Sequence, residues 1–289
     1  MPLQAQFQQN ISSTVSEESD NYILIINAYT EAYPWSNTLI DIVVNYLDNY
    51  NYQSKEELTF AVEHMNFMEL NDFETLAEFR EQLDEKYQSP PKLLIYLRNS
   101  TFMFANEVFH KKWKNIPTVI LTEVDYFGPL TNYLNKAAIT ESEKISVQEI
   151  GDPHDLILVY MPNFIKETIS FMKDIYPNMN KLYFISDRRR LGAQNRMELA
   201  DIQREYFPEV EVTYLTEGQI SNKEMFDTLK RADNNTGLLF HSWYEREKRS
   251  GKTRYSTKVY NILSQNTPHP VFDLNFYGVE SNQMVGGCF

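Results

Sequence analysis

The segment from Tyr22 to Leu47 constrains this chain more than any other, because an apolar strand runs into a helix through a turn crowded with rings and polar groups. Tyr22-Ile23-Leu24-Ile25-Ile26 has almost no polar interruption, which suits a strand buried on both faces of a parallel sheet. Its β-branched content favours strand over helix. After Asn27, the stretch Tyr29-Thr30-Glu31-Ala32-Tyr33-Pro34-Trp35 cannot be a tight hairpin. Ser36 then offers a hydroxyl cap before Leu39, Ile40, Val43, Val44 and Leu47 recur at helical spacing. The chain therefore opens with a βα unit. In open α/β sheets the carboxyl ends of strands border the binding crevice, and the free N–H groups of the next helix favour anionic or hydrogen-bond-accepting ligands. Tyr29, Tyr33 and Trp35 either stack on such a ligand or plug the gap between helix and sheet.

The same alternation continues. Apolar runs at Leu58 to Val62, Leu93 to Leu97 and Thr118 to Leu121 are separated by helical patterns at Phe73 to Lys86 and Phe102 to Lys112. Right-handed crossovers then imply a parallel sheet with helices on both faces. Gly128-Pro129, the charged run 141–144 and Gly151-Asp152-Pro153 break this rhythm, with a short strand expected at Ile145 to Ile150. Strands are next expected at Leu156 to Tyr160, Lys181 to Ser186, Glu211 to Leu215, Gly237 to Phe240 and Pro270 to Leu274. Helices are expected near Phe164 to Ile175, Leu191 to Tyr206, Lys223 to Ala232 and Thr257 to Ser264. The fold class is thus α/β, with two doubly wound, Rossmann-like lobes and a central cleft. The expected division is a flexible leader over 1–20, a first lobe with its crossover over 21–150, and a second lobe over 151–289.

Charge and composition narrow the partners. At 289 residues the chain can bury a sizeable core, and a formal charge of −13 argues against nucleic acid. The basic exceptions, Arg188-Arg189-Arg190 and the stretch from Arg246 to Arg254, are short. No apolar run approaches the roughly 20 residues needed to span a bilayer. Cys288 is the single cysteine, so an internal disulfide and a thiolate metal cluster are both excluded.

For catalysis the chain offers no G-x-S-x-G elbow, no H-E-x-x-H and no glycine-rich phosphate or dinucleotide loop, so neither a metal nor a cofactor is expected. For binding, each strand end supplies candidates. The first lobe offers Tyr29, Thr30, Tyr33, Trp35 and Ser36, then Asn99, Ser100 and Thr101, then Glu123 and Asp125. Asn99-Ser100-Thr101 either donates hydrogen bonds to a polar head group or forms an ordinary helix cap. The second lobe offers Asp187 and Arg188, then His241, Ser242 and Trp243, then Asp273, Asn275 and Phe276. Arg188 suits a bidentate contact to an anion or an exposed surface role.

The residues IINAYTEAYPWS, KLYFISD followed by Gly192, LLFHSWYERE and TPHPVFDLNFYGVESNQMVGG together resemble periplasmic-binding-protein-like domains. Such domains occur as ABC-transporter substrate-binding proteins and as sensor regions of two-component histidine kinases. The resemblance runs from Tyr22 to Gly287, although Ala28 stands where serine is usual and Thr30 where histidine is common. It implies the extracytoplasmic, ligand-binding sensor domain of a membrane-bound histidine kinase, with the second lobe truncated at its end because such domains continue past Val-Gly-Gly. Such a domain closes on an unidentified small molecule, is periplasmic, is anchored only through segments outside this chain and can pair as a homodimer within its parent receptor. Two alternatives stand beside it, a solute-binding protein of an ABC importer and a two-lobed α/β enzyme such as a glycosyltransferase.

Overall fold

The computed structural model describes residues 21–31, 34–54, 57–113, 115–150, 156–246, 253–255, 257–267, 269–274 and 284–286. The expected leader lies outside them. The chain divides into two compact units: one runs to Leu130 and adds Lys144–Met161, and the other comprises Thr131–Glu143 and Pro162–Phe289.

The first unit contains a five-stranded sheet in the order β2-β1-β3-β4-β7, formed by β1 (Tyr22–Asn27), β2 (Thr59–His64), β3 (Leu93–Leu97), β4 (Thr118–Thr122) and β7 (Leu156–Tyr160). Every pairing in it is parallel. Buried from end to end, β1 behaves as its unbroken apolar sequence requires. Its even-numbered residues pack with Leu94, Tyr96 and Phe102 on one face, while Ile23 and Ile25 pack with Ile40, Leu47 and Leu97 on the other.

Helices α1 (Pro34–Ser54), α2 (Phe73–Lys86) and α3 (Asn99–Lys112) form the crossovers. Asp72 caps α2 by accepting from the Thr75 amide at 2.8 Å. Phe102, Ala105 and Phe109 recur along α3 and join the apolar cluster over the even face of β1. A small antiparallel pair, β5 (Tyr126–Phe127) with β6 (Ile145–Ser146), flanks this unit. The short helices α4 (Leu130–Leu134) and α5 (Val147–Ile150) adjoin it.

The second unit repeats the plan with the order β14-β13-β10-β8-β9, from β8 (Lys181–Ser186), β9 (Glu211–Thr216), β10 (Thr236–Phe240), β13 (Val271–Asp273) and β14 (Val285–Gly286). It too is parallel throughout. Its helices are α6 (Ile165–Ile175), α7 (Arg190–Tyr206), α8 (Asn222–Leu229) and α9 (Thr257–Asn266), and an antiparallel hairpin joins β11 (Tyr244–Arg246) to β12 (Thr253–Tyr255). Ile165, Ile169 and Met172 carry the buried stripe of α6. A capping box between Ser221 and Glu224 starts α8.

Two expectations need correction. Leu156 to Tyr160 does not open the second lobe; it pairs with β4 and closes the first sheet. An apolar pentapeptide is compatible with either sheet, and the choice rests on a neighbour supplied by tertiary structure. The strand expected over Ile145 to Ile150 stops at Ser146, because Glu149 accepts from the amide and hydroxyl of Ser146 and so starts a helical turn.

Gly192 lies in the first turn of α7, where a Cβ would fall 2.3 Å from the Asp187 carbonyl oxygen. At Gly237 the clash would be with the Sδ of Met179 and the Cε of Met172, both ends of flexible side chains. Gly192→Ala is therefore expected to destabilise the protein by about 2–3 kcal/mol and Gly237→Ala by about 1 kcal/mol. Urea denaturation measures both, and equal costs would show that the α7 entry is not so tightly fixed.

Candidate ligand-binding site

Parallel sheets leave the ends of their strands as the place for polar groups, and both units use the carboxyl ends. Among the described residues, the buried polar ones other than Thr118, Thr168 and Thr236 all lie at the carboxyl end of a strand or in the first turns of the following helix.

In the first unit the arrangement begins at Asn27, the last residue of β1. Its Oδ1 accepts from the Tyr29 amide at 3.2 Å, and its Nδ2 donates to Ser36 Oγ at 3.1 Å and approaches His64 Nδ1 at 3.0 Å. Burial pushes the His64 imidazole below its ordinary pKa, so the ring is biased toward the neutral form that can accept from Asn27. Tyr29 is buried, packs edge-on to Phe67 with centroids 5.4 Å apart, and lies under the Arg98 guanidinium at 5.1 Å.

Arg98 joins β3 to α3 and pairs with Glu123, which follows β4. Both side chains are nearly inaccessible to solvent, at 7% and 9%. The Arg98 backbone adopts φ 87° and ψ 149°, a region that glycine enters readily and other residues enter only under strain. The cap of α3 is Arg98 itself, with no side-chain cap bond, so the capping role considered for Asn99-Ser100-Thr101 is not what these residues do. Asn99 Nδ2 donates to the Tyr126 carbonyl at 3.2 Å, and Thr101 Oγ1 donates to the Arg98 carbonyl at 2.6 Å. Ser100 is buried beside them, whereas Thr30 and Asp125 are exposed. Tyr33 lies outside the described residues, and Trp35 is placed only as a residue of α1.

In the second unit Asp187, just past β8, is completely buried. Its Oδ1 accepts from the Arg189 amide at 2.7 Å, and its Oδ2 accepts from Arg189 Nε at 2.9 Å and Nη2 at 2.5 Å. Ser242 Oγ also donates to Asp187 Oδ2 and lies 2.6 Å from His241 Nδ1. Burial alone would raise the Asp187 carboxyl, but the charge and hydrogen bonds of Arg189, with the Ser242 hydroxyl, hold it at about 2. Arg189 in turn stacks on Tyr244 at 3.6 Å, and Arg196 Nη1 donates to Ser186 Oγ at 2.8 Å and the Asp187 carbonyl at 2.6 Å. Asp273 ends β13 and is buried, while Asn275 and Phe276 lie outside the described residues.

Two residues take positions other than the sequence suggests. Arg188 is 61% exposed and sits 3.6 Å from Glu217, so the arginine that engages a buried carboxylate is its neighbour Arg189. Trp243 is fully buried in an apolar cluster with Leu238 and Phe240, and its indole N–H donates to Asn222 Oδ1 at 2.9 Å. Sequence reasoning missed Asn27, His64, Arg98, Arg189 and Arg196. Only the position of Asn27 and Arg98 immediately after apolar strands carried a usable signal.

No protein-family model matches the sequence, and neither does any curated protein sequence. A conserved domain protein from Vibrio cholerae shares the architecture with a TM-score of 0.50, at 10% identity over 91% of this chain and 76% of its own. A fatty acid ABC transporter substrate-binding protein from Thermomonospora curvata gives a TM-score of 0.51 at 11% identity, over 87% of this chain and 56% of its own. The fold is periplasmic-binding-protein-like. At these identities the likeness is one of fold. The periplasmic-binding-protein-like plan accounts for the two parallel α/β units and for the interleaved chain, which passes between them at 130/131, 143/144 and 161/162.

Removing the Asp187 charge leaves Arg189 buried without its partner, so Asp187→Asn is expected to cost about 3 kcal/mol at neutral pH. The folded carboxyl, at about 2, lies below the ordinary 3.8, so its stabilisation is complete above that ordinary value and fades as pH falls toward 2. Denaturant titrations at a series of pH values should show the gap between wild type and variant shrinking in that window. A gap that stays constant would mean that Asp187 carries no charge at neutral pH.

Proposed function

We propose that this chain is the extracytoplasmic sensor domain of a membrane-bound two-component histidine kinase, whose polar clusters bind one small molecule and release it unchanged. The observation that carries the binding part is Arg98. A buried arginine in a glycine-like backbone conformation, stacked on Tyr29 and paired with Glu123, is costly to keep. Such strain collects at ligand clamps, where the surrounding structure holds a residue against its own preference. His241 and Ser242 supply matching donors and acceptors from the second unit. A ligand biases a conformational equilibrium only by as much as it prefers one form over the other.

A binding role agrees better with the polar trio than an enzymatic one. In nucleophilic catalysis a histidine stands between serine and carboxylate, whereas here Ser242 stands between Asp187 and His241 and directs its proton to the carboxylate. An aspartate held at about 2 is also a weak base. A second reading, delivery of the ligand to an ABC importer, is favoured by the likeness to a substrate-binding protein. No helix among the described residues is long and apolar enough to cross a membrane.

A thermal-shift screen of sugars, amino acids, nucleosides, short peptides and fatty acids is expected to yield a stabilising ligand. Calorimetry should then show Arg98→Ala and His241→Ala each weakening it about ten-fold or more, a loss of at least about 1.4 kcal/mol. Arg98→Gly should bind as poorly as Arg98→Ala yet fold more stably by about 1 kcal/mol, because glycine relieves the backbone. A ligand indifferent to both sites, or recovered chemically altered, contradicts the proposal. Ligand-dependent autophosphorylation of the full-length parent supports the sensor, and a parent without a kinase module leaves the importer.

A further inference from the structure

One face of the first sheet is only half covered. The face carrying the even-numbered residues of β1 packs against α2 and α3, whereas the opposite face meets α1 through Ile40, Val43, Val44 and Leu47. Exposure on that second face rises as the strands leave α1. In register, buried Ile95 is followed by half-buried Val119 and then by Ile157, which is 62% exposed. Buried Leu97 is followed in the same way by half-buried Leu121 and exposed Val159. Parallel sheets ordinarily carry helices over both faces. Three strand spacings, about 14 Å, separate β7 from β1, and a helix is about 10 Å across. A groove about one helix wide therefore lies open beside α1, over β4 and β7.

Along the groove runs a ridge. Ile42, Tyr46 and Tyr50 recur every four residues on α1 and are all exposed, while Asp41, Asn45 and Asp48 occupy its other flank. A right-handed β1-α1-β2 crossover, seated through Ile40 and Leu47, turns the apolar flank toward β4 and β7 and the acidic flank toward β2. At the edge of the sheet, β7 carries neither a charge nor a proline, the usual means of keeping edges apart. Ile42, Tyr46, Tyr50, Ile157 and Val159 together leave on the order of 600 Å² in water, the upper end of what a monomer exposes in one patch.

We propose that this patch joins two copies of the chain, each laying its Ile42-Tyr46-Tyr50 ridge into the other's groove over β4 and β7. A two-fold axis parallel to α1, midway between ridge and groove, makes both contacts at once. That is the self-complementarity an isologous interface requires. About 600 Å² from each copy reaches the ~1,200 Å² of the smaller specific interfaces. Chains of net charge −13 repel one another, so copies meet most readily on an uncharged patch whose acidic flank is turned away. The contact uses a sheet face of the first unit rather than the polar strand ends, so it stands without the proposed ligand site.

Sedimentation equilibrium of the whole chain, from about 1 to 100 µM, tests this. A dimer with a dissociation constant on the order of 10 µM is expected. Tyr46→Asp should weaken it at least about ten-fold. Tyr52 is even more exposed than Tyr46, at 87% against 72%, but lies on the other flank of α1, so Tyr52→Asp should leave the dimer unchanged. Tyr46→Lys and Ile157→Glu should each weaken association, and the two combined in one chain should recover about ten-fold, because each lysine then faces a glutamate across the interface. A monomer throughout that range, an equal loss from Tyr52→Asp, or no recovery in the double variant would each overturn the proposal. If Ile157→Glu does not fold, the contrast between the two tyrosines decides.

Discussion

Parallel pairing is the constraint from which the other features follow. Each of the two main sheets is parallel throughout, so each strand needs a crossover and the helices of those crossovers cover both faces. Little room is left on the faces for polar side chains. The hydrogen-bonding groups that the chain does bury therefore gather where strands end and helices begin, and the backbone amides of those helix starts add to the same concentration of donors. That concentration of polar groups at the carboxyl edges is a consequence of the topology before any particular side chain is considered.

The particular side chains then show how charge is managed there. Arg98 with Glu123 and Arg189 with Asp187 are ion pairs withdrawn from water, and an ion pair of that kind adds little net stability compared with apolar packing. What it does provide is fixed geometry. Asp187 is held by the Arg189 amide and guanidinium and by Ser242, so the loop after β8 can take one arrangement, and Gly192 lets α7 approach it closely. The same order in both units, strand, strained or bonded turn, helix, gives each a rigid polar edge.

Much of this architecture is written in local pattern. The limits of α2, at Phe73 and Lys86, and of β3, at Leu93 and Leu97, match the sequence reading, because an aspartate cap, a lysine end and a continuous apolar run are local signals. Pairing is not local. Leu156–Tyr160 looks like any buried strand, and only its partner β4 decides which unit it completes. The candidate site was legible to the level of strand ends, where Tyr29, Asn99, Asp187 and His241 are buried. Individual roles were not, since a run of three arginines gives no sign that Arg189 turns inward while Arg188 stays in solvent. The strain at Arg98 was equally hidden, because a backbone angle leaves no trace in the identity of an arginine.

A crystal structure of the protein with the ligand found by screening tests the central claim most directly. The account predicts unaltered ligand density with polar atoms about 3 Å from the Arg98, Asn99 and Glu123 group and from the His241 and Ser242 group. Density confined to some other surface of either unit, or a molecule chemically changed from the one supplied, would contradict it.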